Sequence, residues 1–213
     1  MSTNPRGERM VAEQLRTHGI TDERVLEAMA GLPREQFVPA QHRRLAYADH
    51  PLAIGGGQTI SQPLVVAAMT QAVAPEPEDI ALEVGAGSGY QAAVLVRLCR
   101  WVVALERDRE LAARCEATLA RLGIANAEVH HADGNAGWPE RAPYGVIIVS
   151  AAAPAIPDAL LDQLAEGGRL VIPVAGETNQ PQDLQLVLKT GGRLETRTLF
   201  KVLFVPLVEG TTG

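Results

Sequence analysis

Leu82-Glu83-Val84-Gly85-Ala86-Gly87-Ser88-Gly89-Tyr90 decides the fold of this chain. A β-rich run over residues 80–84 carries an acidic residue at its end, meets three closely spaced glycines and passes into a helix-forming stretch over 90–98. Such a turn needs glycine for two reasons. The chain must reverse tightly into the helix, and any Cβ would hold a nucleotide-like ligand away from the main-chain N–H groups. The spacing also discriminates between ligands. A dinucleotide-binding turn has its third glycine three positions after the second, to admit a pyrophosphate on the helix N-terminus. Here Gly89 follows Gly87 by two positions, and an acidic side chain stands ahead of the first glycine. Glu83 would repel a pyrophosphate but suits a ligand carrying an ammonium group and a sulfonium centre.

Working toward the C-terminus, strand-like runs at 80–84, 101–105, 127–131, 145–149 and 169–174 alternate with stretches of helical spacing at 90–98, 110–122 and 157–164. That alternation predicts an α/β fold with a doubly wound, mostly parallel sheet. Runs at 183–188 and 199–207 flank Gly191-Gly192 and read as an antiparallel hairpin on one edge. Glu106 closes the second strand, where a carboxylate can accept hydrogen bonds from both ribose hydroxyls. Asp133-Gly134 closes the third, at the position expected for a contact to an adenine amine. The three acidic strand ends form one crevice at the carboxyl edge of the sheet, where ligands of open α/β folds bind. S-adenosylmethionine carries every group this set demands. Glu83, Gly85, Gly87, Gly89, Glu106, Asp133 and Gly134 are therefore expected to bind it as cofactor, with S-adenosylhomocysteine as product.

Working toward the N-terminus, residues 8–18 place Met10, Val11 and Leu15 on one side, with Gly19 as C-cap. A second helix starts at Thr21 as N-cap, buries Val25, Leu26 and Met29 and stops at Gly31. Residues 50–63 break the pattern and read as a loop carrying Gly55-Gly56-Gly57, after which Pro63 opens an apolar helix to about Val73. No linker is long enough to separate two units. The chain reads as one domain over 1–213: N-terminal helices and loop to 75, cofactor-binding core over 76–178 and hairpin over 179–213.

The 213 residues, 46% of them hydrophobic, suffice for one sizeable core. A formal net charge of -6 argues against a nucleic-acid partner, because phosphate-backbone binding draws on clustered Lys and Arg. Arg43-Arg44 is too short a cluster to count as a patch. No targeting or membrane-spanning pattern is present, so a soluble, cytoplasmic protein without a membrane partner is expected, acting as a monomer. Cys99 and Cys115 fit neither a metal-ligand pattern nor a Cys-x-x-Cys motif; both are expected to be buried or semi-buried, and no metal is expected. The five histidines, His18, His42, His50, His130 and His131, read as surface or strand-packing residues.

A second stretch, Asp49-His50-Pro51-Leu52-Ala53-Ile54-Gly55-Gly56-Gly57-Gln58-Thr59-Ile60-Ser61-Gln62-Pro63, closely resembles the loop of the protein-L-isoaspartate O-methyltransferase family. The resemblance continues through Leu32-Pro33-Arg34-Glu35-Gln36-Phe37-Val38, the glycine turn, Ala142-Pro143-Tyr144, residues 167–174 and Phe204-Val205-Pro206-Leu207, and so covers nearly the whole chain. It implies a Rossmann-like methyltransferase fold with an N-terminal helical cap. It also implies methyl transfer to the free α-carboxylate of L-isoaspartyl residues in damaged proteins and peptides, with repair through a succinimide. On the same basis Ser61 is the active-site serine, and Gln58, Thr59 and Ile60 close over the cofactor. Ile54 and Gly55 border the isoaspartyl peptide, and the segment holding Val205 forms another wall that pairs with the backbone of an extended substrate. Ala53, Gly56 and Leu203 depart from common members, and Leu203 stands where many bacterial relatives carry arginine.

The implied chemistry needs no strong base. A carboxylate with a pKa near ~4 is already ionised at neutral pH, so the protein must place its oxygen in line with the methyl group and exclude water. Ser61, just before a helix whose first residue is Gln62 or Pro63, can cradle an anion or can simply cap the helix. Rival readings are the same cofactor site acting on a dedicated peptide aspartate or a small molecule, and a module that binds adenosylmethionine without chemistry. A nicotinamide dehydrogenase is more distant, since the glycine spacing is wrong and no hydride-transfer acid is evident.

Overall fold

The computed structural model of the chain describes residues 4–175 and 180–213. The Asn4 side chain accepts from the Gly7 N–H and starts α1 (Pro5–Met10), with proline in its first turn where no N–H is needed. Helical backbone continues through a π segment at Val11–Leu15 and a 3₁₀ turn at Arg16–His18, and Gly19 ends it at φ 86°. α2 (Glu23–Ala30) is capped by Asp22, one residue later than expected, whose carboxylate accepts from Arg24 N. Thr21 is already engaged: its N–H and that of Asp22 both donate to Gln71 Oε1.

Residues 50–63 contain more order than the expected loop. β1 (Leu52–Gly55) and β2 (Gln58–Ile60) pair antiparallel, Leu52 opposite Ile60, and Gly56-Gly57 turns the chain with φ 60° and 73°. Two successive positive φ values are what a tight hairpin turn requires. Leu52, Ile54 and Ile60 face inward while Ala53, Gly55 and Thr59 face out. α3 (Pro63–Val73) then begins at its proline as expected.

From β3 (Ile80–Val84) the strand–helix alternation runs as read: α4 (Tyr90–Leu95), β4 (Trp101–Glu106), α5 (Arg109–Arg121), β5 (Ala127–His131), β6 (Tyr144–Val149), α6 (Asp158–Asp162), β7 (Leu164–Val174), β8 (Gln182–Thr190) and β9 (Arg193–Val202). The seven strands lie in the order β5-β4-β3-β6-β7-β8-β9. The first five in that order are parallel and the last two antiparallel. The edge hairpin is therefore present, with one correction: its second strand is 193–202 rather than 199–207. Arg193 pairs with Thr190 immediately after the Gly191-Gly192 turn, and residues beyond Val202 leave the edge. The expected division at 178 and 179 lies outside the described residues.

Each central strand is buried on both faces, which is why these runs read as continuously hydrophobic. Ala81, Val102, Ala104, Val146 and Ile148 pack under α1–α5 against Leu26, Met29, Val66 and Leu95. Leu82, Val84, Val103, Leu105, Ile147 and Val149 pack on the opposite face against Leu160 of α6 and Trp138. Cys99 and Cys115 are buried free thiols in the first cluster; burial pushes the Cys99 thiol up to about 12 and raises that of Cys115 as well. Strand order runs outward from β3 through β4 to β5 and then returns to β6 on its other side, so the carboxyl ends of β3 and β6 form the switch point at which such folds bind ligands.

Candidate active site

The turn after β3 is held by β4. Gly85, Gly87 and Gly89 all lie at positive φ, 84°, 51° and 83°, which side chains disfavour. Gly85 N and Ala86 N both donate to Leu105 O, at 2.9 Å each, and Gly87 N donates to Glu106 Oε2 at 2.8 Å. The N–H groups expected to meet a ligand are thus largely committed within the chain. The glycines give a tight reversal with no Cβ in the way. Gly89 serves packing instead: a Cβ there would lie 2.8 Å from Cys115 Sγ.

Glu83 is one residue inside β3, not at its tip, and is 1% exposed. Its Oε2 has no hydrogen-bond partner among the described residues. Burial raises its carboxyl well above the ordinary range, the neighbouring Glu106 adds to this, and the Ala92 backbone N–H acts against it. Glu106 has a different environment: Oε2 accepts from Gly87 N and Oε1 from Asp108 N, at 2.8 and 2.9 Å.

Asp133, two residues beyond β5, orders the turn after it. Its Oδ1 accepts from Asn135 N at 2.9 Å and its Oδ2 from Gly210 N at 2.7 Å. Burial raises its carboxyl, but these hydrogen bonds outweigh burial and hold it below the usual value. The Gly210 contact belongs to a C-terminal segment that crosses the ends of β4 and β5. Thr212 N donates to Arg107 O, Arg109 N to Thr212 O, and Arg107 Nε to Gly210 O.

A cleft of about 780 Å³, its open mouth included, runs along this edge. Of the residues expected from sequence, Gln58, Thr59, Ile60, Ser61, Glu83, Gly85, Gly87, Glu106, Gly134 and Val205 line it. Gly89, Asp133, Ile54 and Gly55 are not in its lining. Ile54 packs on the glycine turn, 3.3 Å from where a Gly87 Cβ would be, and Gly55 faces the Arg114 guanidinium.

A second, apolar groove of about 2090 Å³ including its open mouth adjoins the cleft. Leu64, Val65 and Ala68 of α3 form one side, and Phe200 to Val205 the other. Thr59, Ser61, Ser150 and Val205 belong to both cavities. Ser61 does not cap α3; the N-cap is Gln62, which makes no side-chain capping bond. The Phe204–Leu207 backbone is mostly engaged internally: Phe204 N donates to Gln182 Oε1, Ala152 N to Val205 O, and Leu207 N to Ala152 O. Among the described residues the Val205 N–H finds no partner, so the segment keeps a donor at the residue expected to face the substrate.

Ser150 and Arg34 went unassigned in the sequence. Ser150 follows β6 and donates its N–H to Val84 O, a placement that strand order alone could have suggested. Arg34 is fully buried behind Ser61, and an isolated arginine among polar neighbours gives no sign of that.

A central β3 flanked by β4 and β6, a glycine turn leaving it and a cleft at its carboxyl end define a Rossmann-like α/β domain of the methyltransferase class. The chain matches the family model described as Protein-L-isoaspartate(D-aspartate) O-methyltransferase over residues 6–212, and it belongs to that family. It is 52% identical over 206 residues to the protein-L-isoaspartate O-methyltransferase of Synechococcus sp. (strain JA-2-3B'a(2-13)), covering 94% of this chain and 84% of that one. A solved protein-L-isoaspartate O-methyltransferase aligns with TM-score 0.86 and 29% identity over 94% of this chain, which spans 65% of that longer chain. Another, described as a protein-L-isoaspartate O-methyltransferase from Plasmodium falciparum in complex with S-adenosyl-L-homocysteine, aligns with TM-score 0.82 and 27% identity, covering 98% and 99% of the two chains.

Proposed function

We propose that the chain transfers a methyl group from S-adenosylmethionine to the free α-carboxylate of L-isoaspartyl residues in damaged proteins and peptides, initiating repair through a succinimide. The observation that carries this reading is the meeting of two unlike cavities at Ser61, one bordered by carboxyl groups and glycine backbone, the other apolar and open.

The residues present fit the cofactor. Glu83 keeps a buried oxygen without a partner, a place for an ammonium donor. Each Glu106 oxygen accepts one backbone N–H and retains lone-pair capacity for a ribose hydroxyl. Gly85 and Gly87 keep the approach clear, Gly89 seats α4 behind them, and Gln58, Thr59 and Ile60 cover the cleft from the hairpin. Asp133 and Gly134 shape the adenine end. S-adenosylmethionine, when bound, would supply a sulfonium methyl group that a carboxylate oxygen can take, the O–C bond forming as the C–S bond breaks and S-adenosylhomocysteine leaves.

The chain's own part is to hold the acceptor. Ser61, with no capping duty at α3, offers its hydroxyl to the acceptor carboxylate, which arrives ionised and needs no histidine. Ile54 and Gly55 set the height of the hairpin over the glycine turn, and Val205 borders both cavities. The groove takes the extended peptide, and Leu203, 80% exposed, presents an apolar contact to it. The reading includes a monomer in the cytoplasm with proteins as partners and no nucleic acid, in keeping with the net charge of -6.

The test is transfer of labelled methyl to an isoaspartyl peptide and to its aspartyl twin. Label is expected on the first alone; equal labelling, or none on either, would overturn the reading.

A further inference from the structure

Arg34 is 0% exposed, yet none of the ion pairs among the described residues includes it. Its Nε donates to Ala46 O at 2.7 Å and its Nη2 to Ser61 O at 2.5 Å. The guanidinium carbon lies 4.3 Å from the centroid of the Tyr90 ring, and Tyr90 lines the cofactor cleft. Its Nη1 has no hydrogen-bond partner among the described residues. Burial lowers its pKa, opposed by Tyr90, Tyr47 and Asp49, and a guanidinium stays charged in proteins regardless.

Two carbonyl bonds would suffice for a strut between residues 46 and 61. They do not account for a buried positive charge that has no carboxylate at ion-pair distance among the described residues; Asp49 acts on it only from farther off, and such a charge is costly to maintain. The cleft lined by Tyr90 and Ser61, both touched by Arg34, also carries two carboxyl groups, Glu83 and Glu106, which disfavour an anionic acceptor. Arg107 also borders the cleft, but its Nε is held at the far, C-terminal side by Gly210 O.

We propose that Arg34 is the positioning residue of the acceptor half of the site: its fork fixes the Ser61 backbone, and its charge, paired with no carboxylate among the described residues, makes that end favourable to a carboxylate. The proposal rests on the reading of Ser61 and of the acceptor given above. Lysine at this position keeps the charge but cannot hold both carbonyls in one plane; glutamine keeps donors but loses the charge.

The experiment measures kcat and KM for an isoaspartyl peptide with the full chain, Arg34→Lys and Arg34→Gln, alongside S-adenosylhomocysteine affinity by calorimetry. Arg34→Lys is expected to lower kcat about tenfold with KM for peptide within about threefold of wild type. Arg34→Gln is expected to raise KM about tenfold or more, with product affinity within about threefold in both variants. Equal KM in the two variants, or activity falling in step with product affinity, would make Arg34 a strut only and overturn the proposal. A measurement on the wild-type protein covers the case in which the variants do not fold. The same peptide with its α-carboxyl amidated should compete about tenfold more weakly than the carboxylate, and equal competition overturns the proposal. Loss of preference for the isoaspartyl peptide over its aspartyl twin in the wild-type protein would instead overturn the functional reading beneath it.

Discussion

Burial without a hydrogen-bond partner on Oε2 gives Glu83 a raised carboxyl pKa, and two consequences follow at the residue scale. The first concerns stability. Below the ordinary value of 4.5 both folded and unfolded chains hold this proton; above it the unfolded chain releases the proton while the folded chain keeps it. The stabilisation is therefore complete below that value and is lost as pH rises through the raised folded-state value. Glu83→Gln should flatten this alkaline decline in urea unfolding measured from pH 5 to 9. The second concerns binding. An ammonium group beside Glu83 pulls its pKa down, so S-adenosylhomocysteine should bind with proton release, and more tightly, as pH rises toward the raised value of the free protein. Calorimetry in buffers of different ionisation enthalpy reads this directly. Glu83→Gln should weaken binding roughly 10- to 100-fold, the worth of a hydrogen bond to a charged group. Ser61→Ala should lower kcat markedly, with product affinity largely unchanged; wild-type turnover would remove Ser61 from the reaction. Glu83 and Glu106 were legible because they stand at fixed offsets from strands and glycines. Arg34 was not, because nothing in Leu32-Pro33-Arg34-Glu35 distinguishes a buried guanidinium from a solvated one.

At the scale of elements, the glycines separate into different duties. A Cβ on Gly89 would lie 2.8 Å from Cys115 Sγ, at φ 83°, whereas Gly57, at φ 73°, has open space around it. Gly89→Ala should therefore cost about 2–4 kcal/mol from strain plus overpacking, and Gly57→Ala only about 1 kcal/mol from backbone strain, both read from urea midpoints. The hairpin of β1 and β2 was hidden because strands of four and three residues are too short for period-two patterning to stand out from a glycine run. β9 was placed late because the apolar Phe204–Leu207 run has strand-like composition. Pro206 cannot donate to a ladder, and the segment turns inward to Ala152 instead.

Across the whole molecule, the alternating runs after residue 79 made the doubly wound sheet readable, because each strand carries its own local pattern. The cofactor half of the site came with it, since the carboxyl ends of successive strands converge by topology alone. The acceptor half did not. Residues 34, 61, 150 and 200–205 meet only when the N-terminal helices, β6 and the edge hairpin have docked, and no local pattern encodes that docking. The C-terminal segment is a comparable case, with Val208 lining the cleft and Gly210 holding Asp133. Deleting residues 209–213 should weaken S-adenosylhomocysteine binding several-fold while leaving the peptide KM within about twofold, as calorimetry and steady-state kinetics would show.

The two thiols give the molecule a built-in reporter of its own opening. With burial pushing the Cys99 thiol up to about 12, very little of it is ionised at neutral pH, so alkylating reagents should spare the native protein. Because Cys99 and Cys115 lie on α4's trailing turn and on α5, in the core that closes the cofactor half, their labelling should proceed at the pace of large-scale unfolding rather than of surface fluctuation. Bound adenosyl ligand should then slow that chemistry in proportion to its occupancy, so that a simple alkylation time course would measure how far the ligand holds the fold shut.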